Sequence, residues 1–116
     1  MKRKFRLTST IDFKRVRRKG KSFAHPLVVL IVLPNETGSS RFGISAGRSV
    51  GNAIRRNRSK RQIREIIRLL IPQILKGWDM VVLARKPIVS ASFQDIETAI
   101  HQLFQQAKLF QEQHDQ

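Results

Sequence analysis

A chain of 116 residues is sized for one domain with one core, and its 23 Lys and Arg against 8 Asp and Glu give a formal net charge of +15. The absence of cysteine rules out disulfides and thiolate zinc sites. The longest apolar run, Leu27 to Leu33, is far below the roughly 20 residues that cross a bilayer, so a soluble, cytoplasmic protein with a polyanionic partner is expected, and no membrane association. The charge is uneven: residues 1–21 carry ten basic side chains and one acid, residues 41–68 nine and one, while from Pro72 onward there are four basic and five acidic.

Residues 1–7 read as a basic arm with little to bury, mobile when alone. Leu7-Thr8-Ser9-Thr10 follows the basic start where an export signal would need an apolar stretch. Ser9 and Asp12 form a capping-box-like pair opening a helix from Thr10 to Lys19, which stops at Gly20. It has a narrow apolar stripe of Ile11, Phe13 and Val16 amid Lys14, Arg15, Arg17, Arg18 and Lys19. Leu27 to Leu33, rich in β-branched residues and bounded by Pro26 and Pro34, predicts a central strand covered on both faces. After a polar turn over 35–40, Arg41 to Ala46 returns as a second strand, expected antiparallel to the first. Trp78 to Ala84 is a further buried strand, with Arg85 and Lys86 projecting at its exit before Pro87. Ser92 as N-cap and Asp95 three residues on begin a last helix, with Ile96, Ala99, Ile100, Leu103, Phe104, Ala107 and Phe110 on one stripe. The tail 111–116 is expected to fray.

Gly51 to Ile71 predicts the longest helix. Ile63, Ile66, Ile67 and Leu70 recur at i, i+3, i+4 and i+7 and anchor one face. Asn57, Arg61, Arg64 and Arg68 occupy the opposite face, flanked by Arg58 and Lys60. Like charges at that spacing cost an isolated helix about 0.2–0.5 kcal/mol per pair, and Glu65 alone cannot neutralise the row. An external polyanion would, and the dominance of Arg favours phosphate, which a guanidinium contacts through two parallel hydrogen bonds. Groups for protein-based catalysis are lacking: His25, His101 and His114 are scattered, the acids form no close pair, and Ser45, Ser49 and Ser59 have no activating base. Phe13 and Phe23 stand beside cations and could stack unpaired bases, against the competing assignment of each to the core.

The run Arg41-Phe42-Gly43-Ile44-Ser45, Arg48, Val50-Gly51-Asn52-Ala53, Arg55-Arg56-Asn57-Arg58 and Lys60-Arg61-Gln62-Ile63-Arg64-Glu65 closely resembles the bacterial ribonuclease P protein subunit and its "RNR" motif. Arg6-Leu7, Asp12-Phe13, Val16, Gly20, Asp79 to Val82 and Ala84-Arg85-Lys86-Pro87 extend the resemblance over nearly the whole chain. It implies an α+β fold, an α/β sandwich like the second domain of ribosomal protein S5, with the basic helix in a left-handed βαβ crossover. It also implies a partnership with a catalytic RNA that removes the 5′ leader from precursor tRNA using Mg2+ held by the RNA, the protein alone being monomeric. Arg55, Arg56, Asn57, Arg58, Lys60, Arg61, Arg64 and Arg68 would then meet the RNA subunit. Phe13, Val16, Arg17, Arg48, Arg85 and Lys86 would line a cleft for the single-stranded leader. Arg17 stands where the family often has a second aromatic, and Gly47, Ser49 and Asn52 where it often has basic residues. The competing reading is a non-catalytic RNA-binding module, such as a ribosomal protein or RNA chaperone. A DNA reader would need a few base-reading residues on a recognition helix, and the continuous Arg row fits phosphate better.

Overall fold

A computed structural model describes residues 1–112. Four strands, β1 (Lys21–Ala24), β2 (Val28–Pro34), β3 (Arg41–Ala46) and β4 (Trp78–Ala84), form one sheet in the order β1-β2-β4-β3. Three helices, α1 (Thr10–Lys19), α2 (Ala53–Leu70) and α3 (Phe93–Gln106), cover it. The β1-β2 and β2-β4 pairs are antiparallel, and β3 pairs with β4 in parallel. The α+β class is as expected.

The register sorts the side chains. Phe23, Leu30, Val82 and Ile44 lie in one cross-strand row, as do Val32, Met80 and Phe42. These residues face α2 and α3 and join Ile63, Ile66, Ile67, Ile96, Ile100, Leu103 and Phe104 in the main core. The alternate residues face the other way, where α1 covers Ile31 and Val81 with Val16 and the preceding Leu7. The helix starts follow from their caps: Ser9 accepts from the Asp12 amide at 3.5 Å, Asn52 from the Arg55 amide at 3.0 Å and Ser92 from the Asp95 amide at 3.1 Å.

Six expectations are corrected. Strand β1 lies where no element was predicted, a short edge with one large apolar residue. The partner of β3 is β4, not β2: β4 is buried from Asp79 to Val82, and that run is best covered between two neighbours, which displaces the sequence-adjacent hairpin. The basic arm is docked. Arg3–Phe5 forms a short 3-10 turn, the Leu7 amide donates to the Phe42 carbonyl at 2.8 Å, and Leu7 is buried. The last helix stops at Gln106, and Lys108 turns the chain at φ 57° so that Phe110 reaches the core by pairing with Ile74. Finally, Ile11 is 79% exposed and does not belong to the buried stripe of α1. Of the expected frayed tail, Gln111 is held by the carbonyls of Gln73 and Ile74, and residues 113–116 lie outside the described residues.

Candidate nucleic-acid interface

Two positively charged surfaces lie on opposite sides of the sheet. The first is the outer face of α2. Gly51 enters at φ 130°, where a Cβ would lie 2.9 Å from Arg55 Cδ, so the turn before the helix suits glycine alone. The first turn of α2 contains no acidic residue and instead carries Arg55 and Arg56, adding side-chain charge to the positive end of the helix dipole. Arg55, Asn57, Arg58, Arg61 and Arg68 are exposed, and Arg56, Lys60 and Arg64 partly so. Among the described residues Arg55, Arg56, Arg58, Lys60, Arg61 and Arg64 have no acidic partner, and the buried Nε of Arg56 has no hydrogen-bond acceptor. Arg68 differs: it grips Glu65 through contacts of 2.6 and 3.1 Å. That hydrogen bond holds the Glu65 carboxyl below its ordinary range and raises Arg68 further, so the row loses a free charge at its C-terminal end.

The second surface is a cleft beside α1. The row Ala24, Val29, Leu83 and Ser45 lies on the α1 side beyond the residues that Val16 covers, and Val29, Leu83 and Ser45 stay half-buried. Phe13 forms one wall. Its ring rests on Gly43, where a Cβ would fall 2.4 Å from Phe13 Cζ, so the absence of a side chain at Gly43 makes the seat. Arg17, one helical turn along α1 from Phe13, is exposed. At the mouth, the parallel pairing of Ala46 with Ala84 brings the exits of β3 and β4 side by side, which places exposed Arg48, Arg85 and Lys86 at one rim. Arg85 donates to the His25 carbonyl at 3.3 Å. Because α2 starts shortly after this rim, the first turn of the ridge lies near the mouth of the cleft, while the rest of α2 runs over the opposite face of the sheet.

Two candidate residues need correction. Val16 has no exposed surface; it braces the cleft from beneath and offers nothing to a ligand. Phe23 points to the opposite face and packs on the main core, with the Lys21 ammonium 5.4 Å from its ring centroid. Phe13 is therefore the aromatic of the cleft. Sequence reasoning missed Gly43, Val29, Leu83 and Ser45. The alternation Val29, Ile31, Leu33 was the available signal, hidden in an unbroken apolar run.

A third feature joins distant segments. Asp79, without exposed surface, accepts from Arg41 Nε and Nη2 at 2.8 Å each, Arg15 Nη2 at 2.7 Å and Asn35 Nδ2 at 2.9 Å. Burial pushes the Asp79 carboxyl up, but the hydrogen bonds from Arg41, Arg15 and Asn35 outweigh it and hold the group below the usual carboxylate range. Arg15 also donates to Asp12 at 3.0 Å.

The fold and these surfaces define a class: an α+β domain with a cationic helix face on one side of its sheet and a cation-rimmed cleft with one seated aromatic on the other. The family model described as Ribonuclease P matches residues 1–108. A ribonuclease P protein component of Herpetosiphon aurantiacus is 44% identical over 110 residues, covering 95% of this chain and 89% of that protein. One of Symbiobacterium thermophilum is 38% identical over 112 residues, covering 96% and 97%. The solved RNase P protein of Staphylococcus aureus superposes with a TM-score of 0.85 at 33% identity over 92% of this chain and 98% of that one. That of Thermotoga maritima gives 0.79 at 33% identity over 87% and 96%. The chain belongs to the ribonuclease P protein family.

Proposed function

We propose that this chain serves as the accessory protein subunit of a bacterial ribonuclease P, the endoribonuclease that removes the 5′ leader from precursor tRNA, and that it acts in the cytoplasm as one copy on a catalytic RNA. The observation that carries this reading is that one small domain holds both an unpaired cationic face on α2 and the Phe13 cleft on the other side of the sheet, with the start of α2 at the cleft's mouth: a scaffold needs the first, whereas a substrate-guiding subunit needs both. Arg55, Arg56, Arg58, Lys60, Arg61 and Arg64 would neutralise phosphates of the RNA subunit, with the positive end of α2 adding to the attraction. Asn57 can donate and accept there.

The cleft suits a single strand. Its floor is half-buried apolar surface, Phe13 offers a ring on which an unstacked base can rest, and Arg17, Arg48, Arg85 and Lys86 surround it with phosphate-binding charge. Chemistry stays with the RNA. On this reading the Mg2+ of the reaction would be held by the RNA subunit, where it would activate water and stabilise the leaving oxygen.

Multiple-turnover cleavage of a precursor tRNA by a bacterial ribonuclease P RNA at low magnesium, with and without this protein, tests the reading. Cleavage at the mature 5′ end that depends on the protein supports it. Tight RNA binding with no gain in cleavage by the cognate RNA would favour the binding-module alternative.

A further inference from the structure

We infer that the Asp79 cluster is a positioning device for the leader cleft: by tying α1 to the strands beneath it, the cluster sets where Phe13 and Arg17 stand. The inference rests on the proposed leader-binding role of that cleft.

α1 has little apolar anchorage. Val16 is its one fully buried residue and Phe13 is half-buried on Gly43. Around the helix, Val16 faces the sheet, Asp12 and Arg15 lie on one flank, and Phe13 and Arg17 lie on the other. Ile11, Lys14 and Arg18 point to solvent. On its first flank the helix is held by Arg15, which bridges Asp12 on its own helix to Asp79 on β4. Arg41 on β3 grips both oxygens of the same carboxylate and comes within 4.0 Å of Asp12. Asn35 closes the set from the turn between β2 and β3. Each oxygen of Asp79 thus receives two donors, and α1, β4, β3 and that turn converge on one buried group. A rigid helix pinned along one flank cannot roll, and a roll is the motion that would carry Phe13 off Gly43 and change the width of the cleft.

The charges show that the cluster is not itself an RNA contact. Two arginines face two aspartates, so the set is neutral, and its guanidiniums are committed to carboxylates. Arg17, Arg48 and Arg85 have no acidic partner among the described residues. Position, not attraction, is what the cluster supplies.

The test uses holoenzyme reconstituted with a bacterial ribonuclease P RNA and compares affinity for a precursor tRNA carrying a single-stranded leader with affinity for the same tRNA lacking it. Arg15→Ala leaves Asp79 paired to Arg41 and Asn35, and it should lower the leader-dependent affinity ratio about tenfold through misplacement alone. Lys14→Ala removes the same charge from the solvent side of the same helix and should leave the ratio unchanged. Arg15→Lys keeps a cation beside Asp79 and should recover part of the loss; it carries the comparison if Arg15→Ala fails to fold. If Arg15 acts through Phe13 and Arg17, adding Arg15→Ala to the double variant Phe13→Ala with Arg17→Ala should cost nothing further. A fall in melting temperature with a ratio equal to that of Lys14→Ala would overturn the positioning role while leaving the leader cleft intact. An unchanged ratio in Phe13→Ala would instead overturn the cleft reading, and this inference with it.

Discussion

The two faces of the sheet are stabilised in different ways. Toward α2 and α3 the protein buries a continuous core in which Ile67, Ile96 and Phe104 have no exposed surface. Toward α1 the buried apolar cluster among the described residues is Leu7, Val16, Ile31 and Val81, supplemented by a buried carboxylate with two arginines. Apolar burial is strong and non-directional, whereas a saturated ionic cluster holds one geometry and little else. The first face can therefore carry the fold while the second leaves half a sheet surface open and still fixes the helix beside it. An open cleft on a small domain is affordable where stability is supplied from the other side.

The largest effect is expected from breaking the well-buried face. Phe104→Ala should cost about 3–5 kcal/mol in urea unfolding and lower RNA affinity only in proportion to the folded fraction. Equal loss of RNA affinity per folded molecule would show that the two faces are not independent.

Breaking the other face at its centre should cost less. Asp79→Asn leaves Arg15 and Arg41 facing each other without their main counter-charge, at about 3 kcal/mol, the low end for a buried pair because both arginines are partly exposed. The folded carboxyl is held below its unfolded value near 3.9. Its contribution is therefore complete above that pH and is lost as pH falls through the lower folded value. Wild type should lose stability on acidification below about pH 4, and Asp79→Asn should show a flatter acid limb. An unchanged acid limb would mean that other carboxylates dominate acid unfolding.

Elements whose signals are local were legible in the sequence. The caps Ser9 and Ser92 and the stripe Ile63, Ile66, Ile67 and Leu70 identified their helices, and the strand expected over Trp78 to Ala84 matches β4 at both ends. What stayed hidden depends on distant partners. Lys21 to Ala24 is a strand because β2 offers it an edge, and Leu7 is buried because Val16, Ile31 and Val81 pack around it while Phe42 holds its amide. In the site, the α2 ridge was visible because its residues share one helix. Val16 and Phe13, both on the α1 stripe, could not be separated into brace and wall without the sheet beneath them. Arg15 and Arg41 lie 64 and 38 residues from Asp79, and no spacing rule links them.

Single substitutions should separate the two binding surfaces. Arg61→Ala should weaken assembly with the RNA subunit about tenfold, within the range for one charge-assisted phosphate contact. Phe13→Ala should leave assembly intact and weaken binding of leader-bearing substrate by a similar factor, as expected for one stacked base. Global unfolding of Phe13→Ala, seen by circular dichroism, would instead assign that ring to the core.

The smallest effect is the sharpest probe of the ridge, because Arg61 and Arg68 share a face of α2 and differ in pairing. Arg61 has no acidic partner among the described residues, whereas Arg68 is committed to Glu65, so binding a phosphate there requires breaking that pair or adding an anion beside a carboxylate. The slope of log affinity against log salt counts neutralised phosphates. Arg61→Ala should reduce its magnitude by about one and Arg68→Ala by clearly less. Glu65→Gln should restore the asymmetry's missing charge: the slope should steepen, and Arg68→Ala on that background should then cost as much as Arg61→Ala. If Arg68→Ala already matches Arg61→Ala in the wild-type chain, the Glu65 pair opens on RNA binding and the whole row acts as one surface.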